Sequence, residues 1–366
     1  MNNSETECLL MFNRVTNYNP SQKLEIYKKY RTFSKIFAQR SEIERTWKKP
    51  FKINGVILNT ERLLKSIKTE LDYLNSSGIS IIPISAKGYP ERLRYIYDPP
   101  LVLFANGNKE LMLSKNIIAL VGSRRSSNHS LSMAYTVAKE LSEAGCIVAS
   151  GLALGVDGYA HLGALDGGAG TIAILGNGID VIYPGENAGI YQRIKKSGVI
   201  VSEFPLSTPP YKRNFPMRNR IISGIARGVV VVEASDRSGA MITASYGLDH
   251  GREVMAFPGR AGSRQYSGNN ALLKEGAYLV EGASDILSVL GIDFDSKSKR
   301  GTLFYSGIER DILSIIGEEA LTIEQIVDKL KCDVSSISSV LTRLEIQGHV
   351  IQYPGKTYRR ILKYGE

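Results

Sequence analysis

The residues best suited to chemistry lie between Ser202 and Ala244. They comprise Lys212-Arg213-Asn214-Phe215-Pro216-Met217-Arg218-Asn219-Arg220, the apolar run from Gly228 to Ala234, and the small-residue turn Ser238-Gly239-Ala240. Four cations and an aromatic beside two candidate helix N-termini suit a polyanion whose bases can stack, namely single-stranded nucleic acid. Lys212 and Arg213 precede Phe215-Pro216, and Pro216 fits the first turn of a helix. Phe215, flanked by cations at a loop-to-helix junction, reads as a base-stacking platform, with plain core packing as its alternative. Arg218 and Arg220 lie two apart, so on a helix they cannot share one face, and Glu203 or Glu233 is a candidate carboxylate for one of them. The Ser238-Gly239 turn offers backbone N–H groups for a second anion site.

Another strand end carries Val121-Gly122-Ser123-Arg124-Arg125-Ser126-Ser127. Gly122 permits a tight turn, Ser123 and its neighbours offer hydroxyls and N–H groups to a phosphate, and Arg124 can grip one bidentately. The spacing is not the G-x-G-x-x-G of a dinucleotide fold, and Gly355-Lys356-Thr357 has Val350 where the first glycine of a P-loop would stand. In Ser150-Gly151-Leu152-Ala153-Leu154-Gly155-Val156-Asp157, the acid reads as a helix-capping residue and the following His161 as a packed polar group. Leu175-Gly176-Asn177-Gly178, with Asp180 and Tyr183-Pro184, reads as a shaped loop lining the same cleft. With no HExxH, no GxSxG and only four histidines, the chain is built to hold phosphates rather than transform them, without metal or cofactor.

These residues need a scaffold, and the apolar pattern supplies one. Runs at Ile117 to Val121, Ile147 to Ala149, Thr171 to Leu175, Val199 to Val201, Val229 to Val232 and Val254 to Phe257 alternate with helix-length segments. Continuous β-branched strands separated by helices predict a Rossmann-like α/β fold, a parallel sheet covered on both faces, over residues 78–292. Residues 1–77 read as a small helical accessory domain and 293–304 as a charged linker. Three helical patterns and two short strands over 305–366 read as a winged helix, whose middle helix opens on a Thr322 to Gln325 capping box. The formal net charge of +10 over 366 residues favours an anionic partner. Three scattered cysteines, and no run near the roughly 18 apolar residues of a membrane span, point to the cytoplasm and away from a membrane.

The motifs Gly122-Ser123-Arg124, Ser150-Gly151-Leu152-Ala153, Leu175-Gly176-Asn177-Gly178, Asn214-Phe215-Pro216-Met217-Arg218-Asn219-Arg220 and Ser238-Gly239-Ala240 occur in one order. In this the chain resembles the bacterial DNA-processing protein A family (DprA, also called Smf). The resemblance implies a homodimer that binds and protects incoming single-stranded DNA in natural transformation and loads RecA recombinase. It also implies a non-hydrolysing pocket of Gly122, Ser123 and Arg124, with Lys212 and Phe215 opposite and Ser238-Gly239 at its edge. Two other readings compete. A phosphoribohydrolase-like Rossmann enzyme would need a PGGxGTxxE loop, whereas Gly167-Gly168-Ala169-Gly170-Thr171 runs straight into a strand. A duplex DNA regulator would need a basic recognition helix, and Val334 to Gln347 carries little positive charge beyond Arg343.

Overall fold

The apolar runs become strands because their β-branched side chains fit a sheet buried on both faces. The computed structural model describes residues 3–293, 307–316, 321–346, 350–353 and 357–360. The chain divides into two compact units, Met1–Phe294 and Asp295–Glu366. All but the first residue of the expected linker 293–304, the Gly355-Lys356 pair and the Arg343 side chain lie outside the described residues.

The first unit begins with α1 (Asn3–Asn13), α2 (Pro20–Tyr30), α3 (Phe33–Ala38), α4 (Arg40–Thr46), the hairpin β1 (Lys52–Ile53) and β2 (Val56–Ile57), and α5 (Thr60–Ser76). Asn19 and Gln22 form a capping box at α2, and the Asn59 side chain accepts the Arg62 N–H at α5. Leu9, Phe12, Phe33, Ile67 and Leu74 are buried in the same apolar cluster as Ile79, Phe104 and Ile200, so these helices share the core of the sheet.

The sheet takes β3 (Ile79–Pro83), β4 (Val102–Gly107), β5 (Ile117–Val121), β6 (Ile147–Ser150), β7 (Thr171–Ile174), β8 (Val199–Ser202), β9 (Gly228–Val231), β10 (Glu253–Ala256) and β11 (Tyr278–Leu279). Around it lie α6 (Glu91–Arg94), α7 (Asn128–Glu143), α8 (Val156–Gly167), α9 (Ala188–Ser197), α10 (Asn214–Ile225), α11 (Gly239–Asp249), α12 (Ser267–Lys274) and α13 (Ala283–Val289). Strand order is β11-β10-β9-β5-β6-β7-β8-β4-β3. Strands β11 through β8 are parallel, while β4 runs antiparallel to both β8 and β3. Alternation splits β5 between the faces: Ile117, Ala119 and Val121 join one core cluster, Ile118 and Leu120 the other. The chain moves outward from β5 through β6, β7 and β8, then returns to β9 on the other side of β5. This reversal is where open α/β sheets place ligands, at the carboxyl ends of the strands.

The second unit contains α14 (Gly307–Ile315), β12 (Leu321–Thr322), α15 (Ile323–Leu330), α16 (Val334–Ile346), β13 (Val350–Tyr353) and β14 (Thr357–Arg360). Its strands form a three-stranded sheet, and both halves of the Thr322–Gln325 capping box are present. A separate core of Ile312, Ile326, Ile337, Leu341 and Leu344 holds it. Among the described residues no helix is long and apolar enough to cross a membrane.

Candidate functional site

Three strand ends and α10 converge on a slot of about 40 Å³ at the carboxyl edge of the sheet. Arg124 reaches it from the loop after β5, Gly151, Ala153 and Leu154 from that after β6, and Gly176, Asn177, Tyr183 and Pro184 from that after β7. Phe215 and Arg218 enter from α10. The Arg124 guanidinium carbon lies 5.2 Å from the Phe215 ring centroid, a cation–π contact. The Tyr183 ring sits 5.7 Å from the same ring, tilted by 39°. Glycine at 176 lets the Phe215 ring lie against the loop, since a Cβ there would come within 2.8 Å of the ring and force it to shift. Phe215 is half-buried and Arg124 exposed. Among the described residues no carboxylate forms an ion pair with Arg124.

The two arginines of α10 behave differently from Arg124. Arg218 is 3% exposed and donates through Nη1 to the carbonyls of Gly151 and Ile174, and through Nε to Asn219 Oδ1. Burial lowers its pKa to about 10, Asp157 acting against that fall and Arg124 adding to it. It forms the floor of the slot, with its Nη1 and Nε donors spent on protein acceptors. Arg220 is 1% exposed. It meets Glu203 with two parallel bonds of 3.1 and 2.7 Å, and Asp98 with a third of 3.0 Å. Burial opposes its charge, but Glu203 and Asp98 outweigh that and raise its pKa. Sequence reasoning counts both among the nucleic-acid contacts. The structure instead makes Arg220 an internal tie, because its guanidinium faces two carboxylates inside the protein.

Several backbone N–H groups at the strand ends are also spent on the protein itself. The carboxylate of the fully buried Glu233, just past β9, accepts from the Ser127 N–H at 3.1 Å and from the Ser127 and Ser130 hydroxyls at 2.8 and 2.7 Å. Glu233 therefore serves the turn after β5 rather than an arginine. The Ser123 N–H donates to the Glu233 carbonyl, and Ser123 Oγ accepts the Arg125 N–H. Gly122 and Ser123 thus shape the turn that presents Arg124. After β6, Asp157 accepts the N–H groups of Gly151 and Ala153. It stands in the first turn of α8, whose N-cap is Gly155 without a side-chain cap, so it ties down the preceding loop rather than capping the helix as the sequence suggests. Burial raises its pKa, while Arg218 and these N–H bonds work in the other direction. His161 is fully buried, with Nδ1 2.8 Å from Thr171 Oγ1, and burial pushes its pKa down to about 3.

Lys212 is exposed between Tyr211 and Arg213 and lines no part of the slot. The Ser238-Gly239 turn stands beyond the end of β9, also outside the slot; Gly239 is exposed, and its carbonyl accepts from the Asn219 side chain at 3.2 Å. The structure thus brings Arg124, Phe215 and Arg218 together and leaves Lys212, Ser238, Gly239 and Arg220 apart from them.

Residues 80–291 match the family described as DNA recombination-mediator protein A, and residues 305–356 match the DprA winged helix domain. The chain belongs to the DNA-processing protein A family. Protein Smf of Escherichia coli is 36% identical over 301 residues, covering 80% of this chain and 80% of that protein. DNA processing protein DprA of Bacillus subtilis is 38% identical over 230 residues, covering 63% of this chain and 77% of that protein. The X-ray structure of DprA from Streptococcus pneumoniae superposes with a TM-score of 0.57 at 31% identity, covering 75% of this chain and 98% of that one. The structure of DprA from Helicobacter pylori, described for its single-stranded DNA binding mode, superposes with a TM-score of 0.54 at 29% identity, covering 59% of this chain and 97% of that one. Within this DprA chain, sequence reasoning assigned Tyr183 to a loop and missed its contact with Phe215. Only the folding of the loop after β7 against the first turn of α10 reveals it.

Proposed function

We propose that this DprA chain binds incoming single-stranded DNA, protects it and helps load RecA recombinase onto it during natural transformation, without catalysing a reaction. The observation that carries this reading is Arg124, exposed and without an ion pair among the described residues, standing over the half-buried Phe215 ring at the carboxyl ends of β5, β6 and β7. A cation beside an aromatic face matches a phosphate followed by a base. The slot, about 40 Å³, has less room than the roughly 300 Å³ at which small-molecule pockets begin, so it fits a group on a polymer better than an enclosed nucleotide. Asp157 and Glu233 occupy N–H groups that a nucleotide-binding enzyme would leave for its substrate, which supports binding over catalysis. Gly122 and Ser123 position Arg124, Lys212 and the Ser238-Gly239 turn extend the contact along the strand, and Arg218 supports the floor.

The DNA-binding part is assigned to residues 78–292, the helical part to 1–77 and the winged helix to 305–366, in a cytoplasmic homodimer. Support for the dimer comes from the edge strand β11, where Tyr278 and Leu279 are about half exposed, and from Ile242 and Leu248 on α11, also exposed. The test is a titration with single- and double-stranded oligonucleotides across salt concentrations. Preference for single strands, with a log–log salt slope that falls when Arg124 is replaced, supports the reading; equal binding of both forms through the winged helix alone overturns it.

A further inference from the structure

At the edge of the sheet opposite the Arg124 slot lies a larger cleft of about 790 Å³. It is framed by residues just ahead of three parallel strands: Lys115 before β5, Ile225 before β9 and Arg252 before β10. The segment around α6 closes it from the side with Lys87, Arg92 and Arg94. Five cations therefore face two acids, Glu91 and Asp249, and among the described residues none of the five forms an ion pair.

The guanidinium groups are held in place without being neutralised. Arg92 donates to the Lys115 carbonyl at 2.9 Å, Arg94 to that of Ala86 at 2.8 Å, and Arg252 to those of Gly224 and Arg92 at 3.0 and 3.2 Å. Burial and the adjacent Arg92 both depress the Arg252 pKa, so the cluster carries unrelieved repulsion. Two aromatic side chains stand at its mouth: Tyr95 is 77% exposed and Tyr97 81%, with Ile96 buried between them. Fixed, unpaired cations around a cleft of ligand size, bordered by solvated aromatic faces, are the combination used to track a phosphate backbone and stack its bases.

We propose that this cleft is a second contact for single-stranded nucleic acid, engaged when a strand leaves the carboxyl edge and wraps to the opposite edge of the sheet. The inference rests on the single-strand reading of the Arg124 slot. Strands of four or five residues, at about 3.3 Å each, set the two edges roughly 15 Å apart, so only an oligomer long enough to round the domain can reach both.

The test uses the full chain and two double variants, Tyr95→Ala with Tyr97→Ala and Lys87→Glu with Lys115→Glu, all at exposed positions. Thermal melts confirm folding. Binding is measured with oligonucleotides of about 6 and about 30 nucleotides. The tyrosine pair should weaken the long oligonucleotide about tenfold and leave the short one unchanged. The lysine pair should lower the long oligonucleotide's log–log salt slope by about 0.7 per lost contact. Unchanged affinity and slope for the long oligonucleotide overturn the proposal, as does equal loss on both lengths. Arg124→Glu separates this from the first reading. If it spares both lengths while the tyrosine pair weakens the long one, the slot fails and the second contact stands.

Discussion

Replacing Arg124 with glutamate separates binding from folding at a single position. The side chain is exposed and its one described partner is the Phe215 ring at 5.2 Å. Losing an exposed cation–π contact costs about 0.5–1 kcal/mol. Against this, Arg124 pushes down the pKa of the buried Arg218, and a carboxylate in its place relieves that repulsion. Folding stability should therefore change little. Binding should change much more, because a charge-assisted contact to phosphate contributes about 1.5–3 kcal/mol, roughly ten- to hundredfold in affinity. Charge reversal adds repulsion to that loss. Fluorescence anisotropy with a labelled oligonucleotide over a salt series should show the log–log slope reduced by about 0.7. Paired with thermal melts, an unaltered slope, or a loss of affinity that tracks loss of folded protein, refutes the reasoning.

Phe215→Ala should weaken single-strand binding by about 1–3 kcal/mol through lost base stacking; reduced melting temperature with unaltered affinity per folded molecule would mark Phe215 as core instead. Glu203→Gln leaves the Arg220 guanidinium with Asp98 as its remaining carboxylate, and chemical denaturation should report a loss of about 3 kcal/mol. Gly247→Ala should fail to stabilise, although helix propensity alone promises about 1 kcal/mol, because a Cβ there meets Val229 at 3.0 Å and Val254 at 3.2 Å. His161 has a folded pKa of about 3 against an unfolded value near 6.5, so its neutral packing stabilises fully above pH 6.5 and loses that contribution as pH falls toward 3. Denaturation midpoints of His161→Gln should therefore fall less steeply below pH 6.5 than those of the wild type, with His250, also depressed by burial, supplying part of the remaining slope.

Much of the fold was legible because burial on both faces leaves a plain mark. The run Ile117 to Val121 is a strand over those same residues, and five further runs fall within a residue or so of their observed limits. The two-residue β11 left no such mark, since Tyr278 and Leu279 are exposed at an edge. The antiparallel turn of β4 was equally silent, because strand direction is set by what β8 pairs with rather than by local pattern. At the site, residue type revealed the cations but not their partners. Lys212 and Arg220 look alike in sequence, yet one is exposed and the other is held by Glu203, 17 positions earlier, and Asp98, 122 earlier. Two residues of spacing on a helix was enough to separate Arg218 from Arg220, but not to say which one would find a carboxylate.

The strand ends of this protein answer their own positive field. Asp157 and Glu233 accept N–H groups that would otherwise be open to a lone phosphate. On the proposed single-strand reading, the protein offers a series of separated holds, of which Arg124 over Phe215 is one. Such a surface works by avidity: each contact is feeble alone, and the second is strengthened by the effective concentration that the first creates. Affinity should then climb with the length of the polymer and collapse below a threshold, which makes the molecule a gauge of how much unpaired strand is present rather than a sensor of the metabolites around it.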